Sequence, residues 1–302
     1  MIEVTGITKK YEDIPALQGI SLTIQEGAVF GLVGTNGAGK STFLRILAGI
    51  LKQDDGEVRI DEEGIYENER NKQNIFFISD DQYFFSNTTP EEMKIFYANL
   101  YPLFDEIRFD KLMQQFELDA KRKINTFSKG MKKQVSVILG ICANTKYILC
   151  DETFDGLDPV MRQAVKSLFI SEIENRKLTP IIASHNLREL EDICDYVGVL
   201  HKGGVLLSRD LEDLKLNLHK VQCVFNSDKE RKDFVTEEAI SIVKTEMRGS
   251  LYTFTIRGDG TQLENILATK DMIFSEILPL SLEEIFISET EVVGYDIKKL
   301  IY

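Results

Sequence analysis

Apolar residues recur along the chain with two different periods, and the switches between them mark out its organisation. Residues 1–33 carry three strand-like runs: IEVTGI, then ISLTI after a turn near Gly19, then AVFGLV, the last continuous enough for a buried strand. The next stretch, TFLRILAGI, changes to a helical period and places Phe43, Leu44, Leu47 and Ile50 on one face. GEVRID and NIFFIS are further strand patterns. From Thr89 to Ala143 the period is helical without interruption. Thr89, Pro90 and Glu92 form a helix start, as cap, first-turn proline and capping-box acid. Met93, Phe96, Tyr97 and Leu100 give that helix its apolar face. Phe109, Leu112, Met113 and Phe116 repeat the spacing, and a third helix runs through VSVILGICA.

From Tyr147 strands and helices alternate: YILCDE, a helix opened by Asp158 and Pro159, PIIASH, NLRELEDIC, then YVGVL and GVLLS across Gly203 and Gly204. Alternation of this kind predicts an α/β domain with a mostly parallel sheet, helices on both faces and a helical insertion over about 89–143. Beyond about Leu218 the pattern changes again. VQCVF, ISIVKTEM, LYTFTIRG and FSEILPL predict strands, with a turn at Gly249–Ser250 and helices near Asp228–Glu238, Gln262–Lys270 and Leu282–Thr290. Residues 219–302 therefore read as a small separate α+β domain, without a chemical constellation.

Composition narrows the function classes. A chain of 302 residues, 43% hydrophobic and 28% charged, has material for a large folded domain and a smaller one and lacks the signature of long disorder. Its net charge of −13 opposes binding to a phosphate backbone, which argues against nucleic acid as a partner. Cys142, Cys150, Cys194 and Cys223 are widely spaced and show no metal-ligand pattern, as expected of reduced core thiols. The longest apolar run, Val135 to Ala143, is well short of the ~20 residues that cross a bilayer. The N-terminal MIEVTGITKK lacks the apolar core of a signal peptide.

The chemistry begins at GTNGAGKST, residues Gly34 to Thr42. Gly34, Gly39, Lys40 and Ser41 fit the phosphate-loop pattern GxxxxGK[ST], and the stretch lies between a buried strand and an amphipathic helix. Glycines there let successive N–H groups turn inward around a phosphate chain, and the helix N-terminus adds positive partial charge. Gly34, Asn36, Gly37, Gly39 and Thr42 thus belong to a triphosphate cradle, with Lys40 reaching the β- and γ-phosphates and Ser41 completing a magnesium shell. In a parallel sheet ligands bind at the carboxyl ends of strands, which assigns Asp151, Glu152 and His185 to the same edge. Asp151, ending an apolar strand, is the candidate magnesium ligand. Glu152 is positioned to orient or deprotonate the attacking water, and His185 to hydrogen-bond the γ-phosphate. Tyr11, an aromatic in a polar stretch, suits base stacking as well as it suits an ordinary half-exposed ring. FSKGMKKQ, read alone, is a helix cap at Ser128 with Gly130 allowing close backbone approach.

Taken together these motifs resemble the ATP-binding cassette family over roughly residues 1–215. GTNGAGKST is similar to its Walker A sequence, FSKGMKKQ to its signature, YILCDE to its Walker B, FDGLDP to its D-loop and ASH to its switch histidine, all in the family's order. The resemblance implies a P-loop NTPase fold of ABC type with antiparallel N-terminal strands and a helical subdomain, ATP and Mg²⁺ as ligands, and Tyr11 stacking on adenine. It places Asp80, in FISDD, at the glutamine-loop position, as a sensor of magnesium and of the partner subunit. Ser128 and Gly130 would act in trans, on ATP held by an opposing cassette. This sequence departs from the family's usual residues at Asp80, at Lys129 in place of the first signature glycine, and at Thr153 in place of the proline after the Walker B glutamate.

Because the chain carries one cassette, the resemblance implies a second copy or a related partner. It also implies a separate integral-membrane permease gripped by the helical segment after Asp80, and a cytoplasmic location on the inner face of the cell membrane. The C-terminal region, ending in LPLSLEEIFISETE, is similar to the accessory domain of bacterial exporter-type systems. The expected function is ATP hydrolysis that powers a transporter. A soluble ABC ATPase without a transport role is the alternative, although the chain has neither the paired cassettes of translation factors nor the long coiled coil of repair proteins.

Overall fold

A computed structural model describes residues 1–237 and 239–292, and its compact units divide between Ser208 and Arg209, ten residues before the boundary expected from the sequence at 218. The first unit opens with β1 (Ile2–Tyr11), β2 (Ile14–Ile24) and β3 (Phe30–Val33), followed by α1 (Lys40–Leu47). It continues through β4 (Asp55–Ile60), β5 (Glu63–Gly64), α2 (Glu69–Lys72) and β6 (Ile75–Ile78). The helical stretch comprises α3 (Pro90–Leu100), α4 (Glu106–Gln115), a 3₁₀ turn at Ile124–Thr126 and α5 (Lys129–Cys142). Then come β7 (Tyr147–Asp151), α6 (Pro159–Arg176), β8 (Thr179–Ser184), α7 (Leu187–Glu191), β9 (Tyr196–His201) and β10 (Gly204–Asp210), whose last two residues lie past the division.

Two sheets form. One is antiparallel, in the order β2-β1-β4-β5. The other has six strands in the order β10-β9-β3-β8-β7-β6, with parallel ladders joining β9, β3, β8, β7 and β6 in turn. Strands β7 and β8 are buried at every position, which explains why they read as unbroken apolar runs. Between the sheets, Phe43, Leu44 and Leu47 of α1 join Ile2, Ile7, Ile20, Leu32 and Ile181 in one core.

Three local expectations are corrected. Gly19 lies inside β2 with φ +71, where the register against β1 shifts between Ile7 and Thr8. It makes a bulge, and the chain reverses at Glu12–Asp13. Ile50 does not share the α1 face: the helix stops at Leu47, Gly49 takes φ +64, and Ile50 is exposed. On α3, Met93 is buried but Phe96 and Leu100 are exposed, so its apolar face is only partly covered. The capping box itself forms as read, with Glu92 N–H donating to Thr89 Oγ1 at 3.2 Å and Thr89 N–H donating to Glu92 Oε2 at 2.8 Å.

The second unit holds α8 (Leu211–Asn217), β11 (Leu218–Phe225), α9 (Asp228–Val235), β12 (Ser241–Arg248), β13 (Leu251–Arg257), α10 (Gly260–Thr269), β14 (Met272–Leu278) and α11 (Leu282–Val292). Its sheet is antiparallel, ordered β12-β13-β11-β14. Val221, Cys223, Phe234, Phe254, Ile256, Leu263 and Leu267 fill a core between one sheet face and helices α9 and α10. Glu238, the expected end of the first helix after β11, lies outside the described residues. All four cysteines are buried and free.

Candidate active site at the sheet edge

The loop between β3 and α1 owes its path to its glycines. Gly37 and Gly39 take φ +82 and +104, and a Cβ on Gly39 would lie 2.6 Å from the Ala16 carbonyl oxygen. Gly34 has no room either, since a Cβ there would meet Leu200 O at 2.6 Å. The loop is tied to its surroundings by Gly203 N–H donating to Ala38 O at 3.1 Å. Gly39 caps α1 without a side-chain hydrogen bond, which leaves the first-turn N–H groups of the helix available to an anion. Asn36 and Gly37 form the exposed crest of the loop.

Lys40 is 6% exposed, and its ammonium donates to Gly34 O at 2.7 Å and lies 3.4 Å from Glu152 Oε1. Glu152 Oε2 in turn faces His185 Nδ1 at 2.9 Å and the His185 backbone N–H at 3.3 Å. Asp155, in the stretch after Glu152, brings a carboxylate oxygen within 4.8 Å of both Glu152 and His185. Asp151 is 2% exposed, and its Oδ1 has no hydrogen-bond partner within the protein. Burial pushes its carboxyl pKa above the usual range, an effect that hydrogen bonding from Ser41 only partly offsets and that the Glu152 and Asp80 charges reinforce. A buried carboxylate with an orphan oxygen beside a hydroxyl is a donor set that fits a hard divalent cation.

The structure thus gathers Lys40, Ser41, Asp151, Glu152 and His185 at one edge of the parallel sheet. Of the other expected residues, Tyr11, Ser128 and Gly130 make no direct contact with this cluster among the described interactions, whereas Asp80 is linked to it through Lys133. Tyr11 is exposed at the tip of the β1–β2 hairpin, the hairpin whose Ala16 touches Gly39. Ser128 caps α5, accepting from Met131 N–H at 3.1 Å, and a Cβ on Gly130 would meet Gly156 O at 2.9 Å, so within the chain Gly130 serves close packing. Asp80 faces two lysines: its Oδ1 lies 3.3 Å from Lys133 Nζ and 3.8 Å from Lys129 Nζ.

Comparison with known proteins decides the family. Residues 17–155 match the ABC transporter family model. The ABC transporter ATP-binding protein YtrB of Bacillus subtilis is 32% identical over 290 residues, 96% of this chain and 98% of that protein. The chain belongs to the ATP-binding subunits of ABC transporters. The bacitracin transport ATP-binding protein BcrA of Bacillus licheniformis is 26% identical over 95% of this chain and 96% of its own length. Among solved structures, an ATP-binding subunit of an ABC transporter superposes with TM-score 0.66 at 25% identity, covering 71% of this chain and 92% of that one. A dimeric cassette with ADP and phosphate bound shares the fold, with TM-score 0.62 at 23% identity over 70% of this chain and 99% of that one. As a member of this family the ABC subunit binds nucleotide and hydrolyses ATP to power transport.

Two features of the site escaped the sequence reading. Lys133 is fully buried on α5, one turn before Val137, and a lysine on the buried side of a helical pattern was the available signal. Residues 76–79 and 81–84 with Tyr97, Ser136 and Leu139 line an open cavity of about 300 Å³. Beside it run exposed rings, Tyr83 against Phe85 at 6.0 Å and Phe85 against Phe96 at 4.9 Å.

Proposed function

We propose that this ABC subunit hydrolyses ATP at the Lys40–Glu152–His185 cluster, in a sandwich completed by Ser128 of a second cassette, and drives a permease that is a separate polypeptide. The observation that carries this reading is the convergence on Glu152 of the Lys40 ammonium at 3.4 Å and the His185 ring at 2.9 Å. Lys40 and the loop N–H groups from Gly34 to Thr42 bind the phosphates, and Tyr11 stacks on the base. Glu152 accepts a proton from the attacking water, with His185 Nδ1–H holding the carboxylate in place; the neutral ring has one N–H, so it donates either to Glu152 or to the γ-phosphate. Ser41 and Asp151 would hold magnesium, which would supply positive charge against the phosphate groups. Asp155 adds a further carboxylate beside Glu152 and His185.

The partner reading rests on the aromatic groove. Tyr83, which lines the cavity, and Phe85 and Phe96 beside it expose ring surface, and partly exposed apolar surface of this kind suits a protein contact. The permease docks there, with the ABC subunit lying peripherally on the cytoplasmic face of the membrane. No described helix is long and apolar enough to cross a bilayer.

The test of the catalytic reading is Glu152→Gln in single-turnover hydrolysis. The amide keeps the shape and hydrogen bonds but removes the base, so the rate falls by about 10²- to 10⁴-fold while ATP affinity is retained. An unchanged rate assigns the proton transfer to another group.

A further inference from the structure

The structure assigns Lys133 as a positioning residue that holds the Glu152 peptide and links it to the wall of the aromatic groove; the role rests on Glu152 being the base proposed above. Glu152 has φ +48, a left-handed conformation that L side chains sustain only where their surroundings over-determine it. Its peptide groups are held on both sides. The Glu152 N–H donates to Ala183 O at 2.9 Å, and its carbonyl oxygen accepts a hydrogen bond from Lys133 Nζ. Releasing the carbonyl frees the backbone to turn, and the carboxylate that faces Lys40 and His185 would swing with it.

Lys133 has no exposed surface, so its ammonium must find oxygen partners inside the protein. They are the Glu152 carbonyl and Asp80 Oδ1, at 3.3 Å. Asp80 lies between Ser79 and Asp81, which line the groove together with Ser136 and Leu139 of α5, the helix that carries Lys133. One buried charge therefore bridges the groove segment, the helix behind the signature residues and the catalytic peptide. A shift of residues 79–82 on docking of a partner would draw Asp80 from the ammonium and change how firmly Glu152 is held. Lys133 acts through the Glu152 backbone, its ammonium reaching the carbonyl oxygen of that residue and not the carboxylate.

The experiment measures single-turnover hydrolysis and equilibrium ATP affinity on the full-length chain. Lys133→Met should slow hydrolysis roughly 10- to 100-fold, the scale of a small misplacement of a reacting group, with ATP affinity within about twofold of the parent. Lys133→Arg keeps charge and donors and should recover part of the rate. Asp80→Ala should slow the reaction less, because the carbonyl contact remains, and the double variant should be no slower than Lys133→Met alone. A parental rate in Lys133→Met overturns the proposal. So does a joint loss of rate and affinity that Lys133→Arg does not relieve, which marks a general folding defect. Glu152→Gln separates the two readings: if it is inactive while Lys133→Met is fast, only the positioning role fails, whereas an active Glu152→Gln removes the base and this inference with it.

Discussion

Lys40 illustrates how a single residue connects sequence, structure and function in this protein. Its stem is buried and its ammonium is held by Gly34 O and Glu152, yet it packs no part of the hydrophobic core. Lys40→Ala should therefore abolish ATP binding while leaving the melting temperature close to the parent's. Titration calorimetry and thermal denaturation on the same preparation check both halves. Asp151 behaves in the opposite way. Its charge is buried, with its own Oδ1 lacking a hydrogen-bond partner, and costs stability in the absence of a cation. Asp151→Asn should raise the melting temperature of the nucleotide-free protein, by about 2–4 °C for each kcal/mol of desolvation relieved. It should also weaken the dependence of ATP affinity on magnesium, and a lower melting temperature would contradict this account. At this scale Lys40, Asp151 and Glu152 were legible in the sequence because each breaks a local pattern, a lysine in a glycine loop or carboxylates ending an apolar strand. The left-handed φ of Glu152 and the burial of Lys133 depend on contacts across 19 residues of chain and left no comparable mark.

Elements hold these residues in register, and α5 is the clearest case. It presents Ser128 at its start, Lys133 in its second turn, and Gly140 where it crosses the sheet. A Cβ on Gly140 would meet Ile148 Cδ1 and Phe76 Cδ1, each at 2.9 Å, so the helix lies as close to β6 and β7 as a glycine permits. Gly140→Leu should overpack this contact and cost about 1–3 kcal/mol, read from the shift in urea midpoint. It should also slow hydrolysis, because pushing α5 off the sheet moves Lys133 with it. Element types were largely readable from period and capping, as at Thr89 and Asp158, whose side chains cap α3 and α6. What the pattern concealed was where an apolar face stays open. Phe96 has the same helical spacing as buried Met93, and only the packing around it shows that the ring is exposed. Gly19 was similarly ambiguous, since a glycine in a strand pattern fits a turn or a bulge until the partner strand fixes the register.

For the whole molecule, the division between Ser208 and Arg209 gives a cut that spares every residue of the proposed site. A chain ending at Ser208 should keep ATP binding, and a folded truncation that fails to bind nucleotide would assign part of the site to the C-terminal unit. In the proposed function two cassettes enclose each ATP, with Lys40 and Ser41 on one side and Ser128 of the other copy across from them. Whatever binds only the paired state favours it by mass action, and hydrolysis dissolves the link. Light scattering of Glu152→Gln with ATP and magnesium tests this most directly. The expected result is a stable dimer that returns to monomer when Ser128→Arg is added. A Glu152→Gln protein that binds ATP yet stays monomeric, or a dimer indifferent to Ser128→Arg, would contradict it.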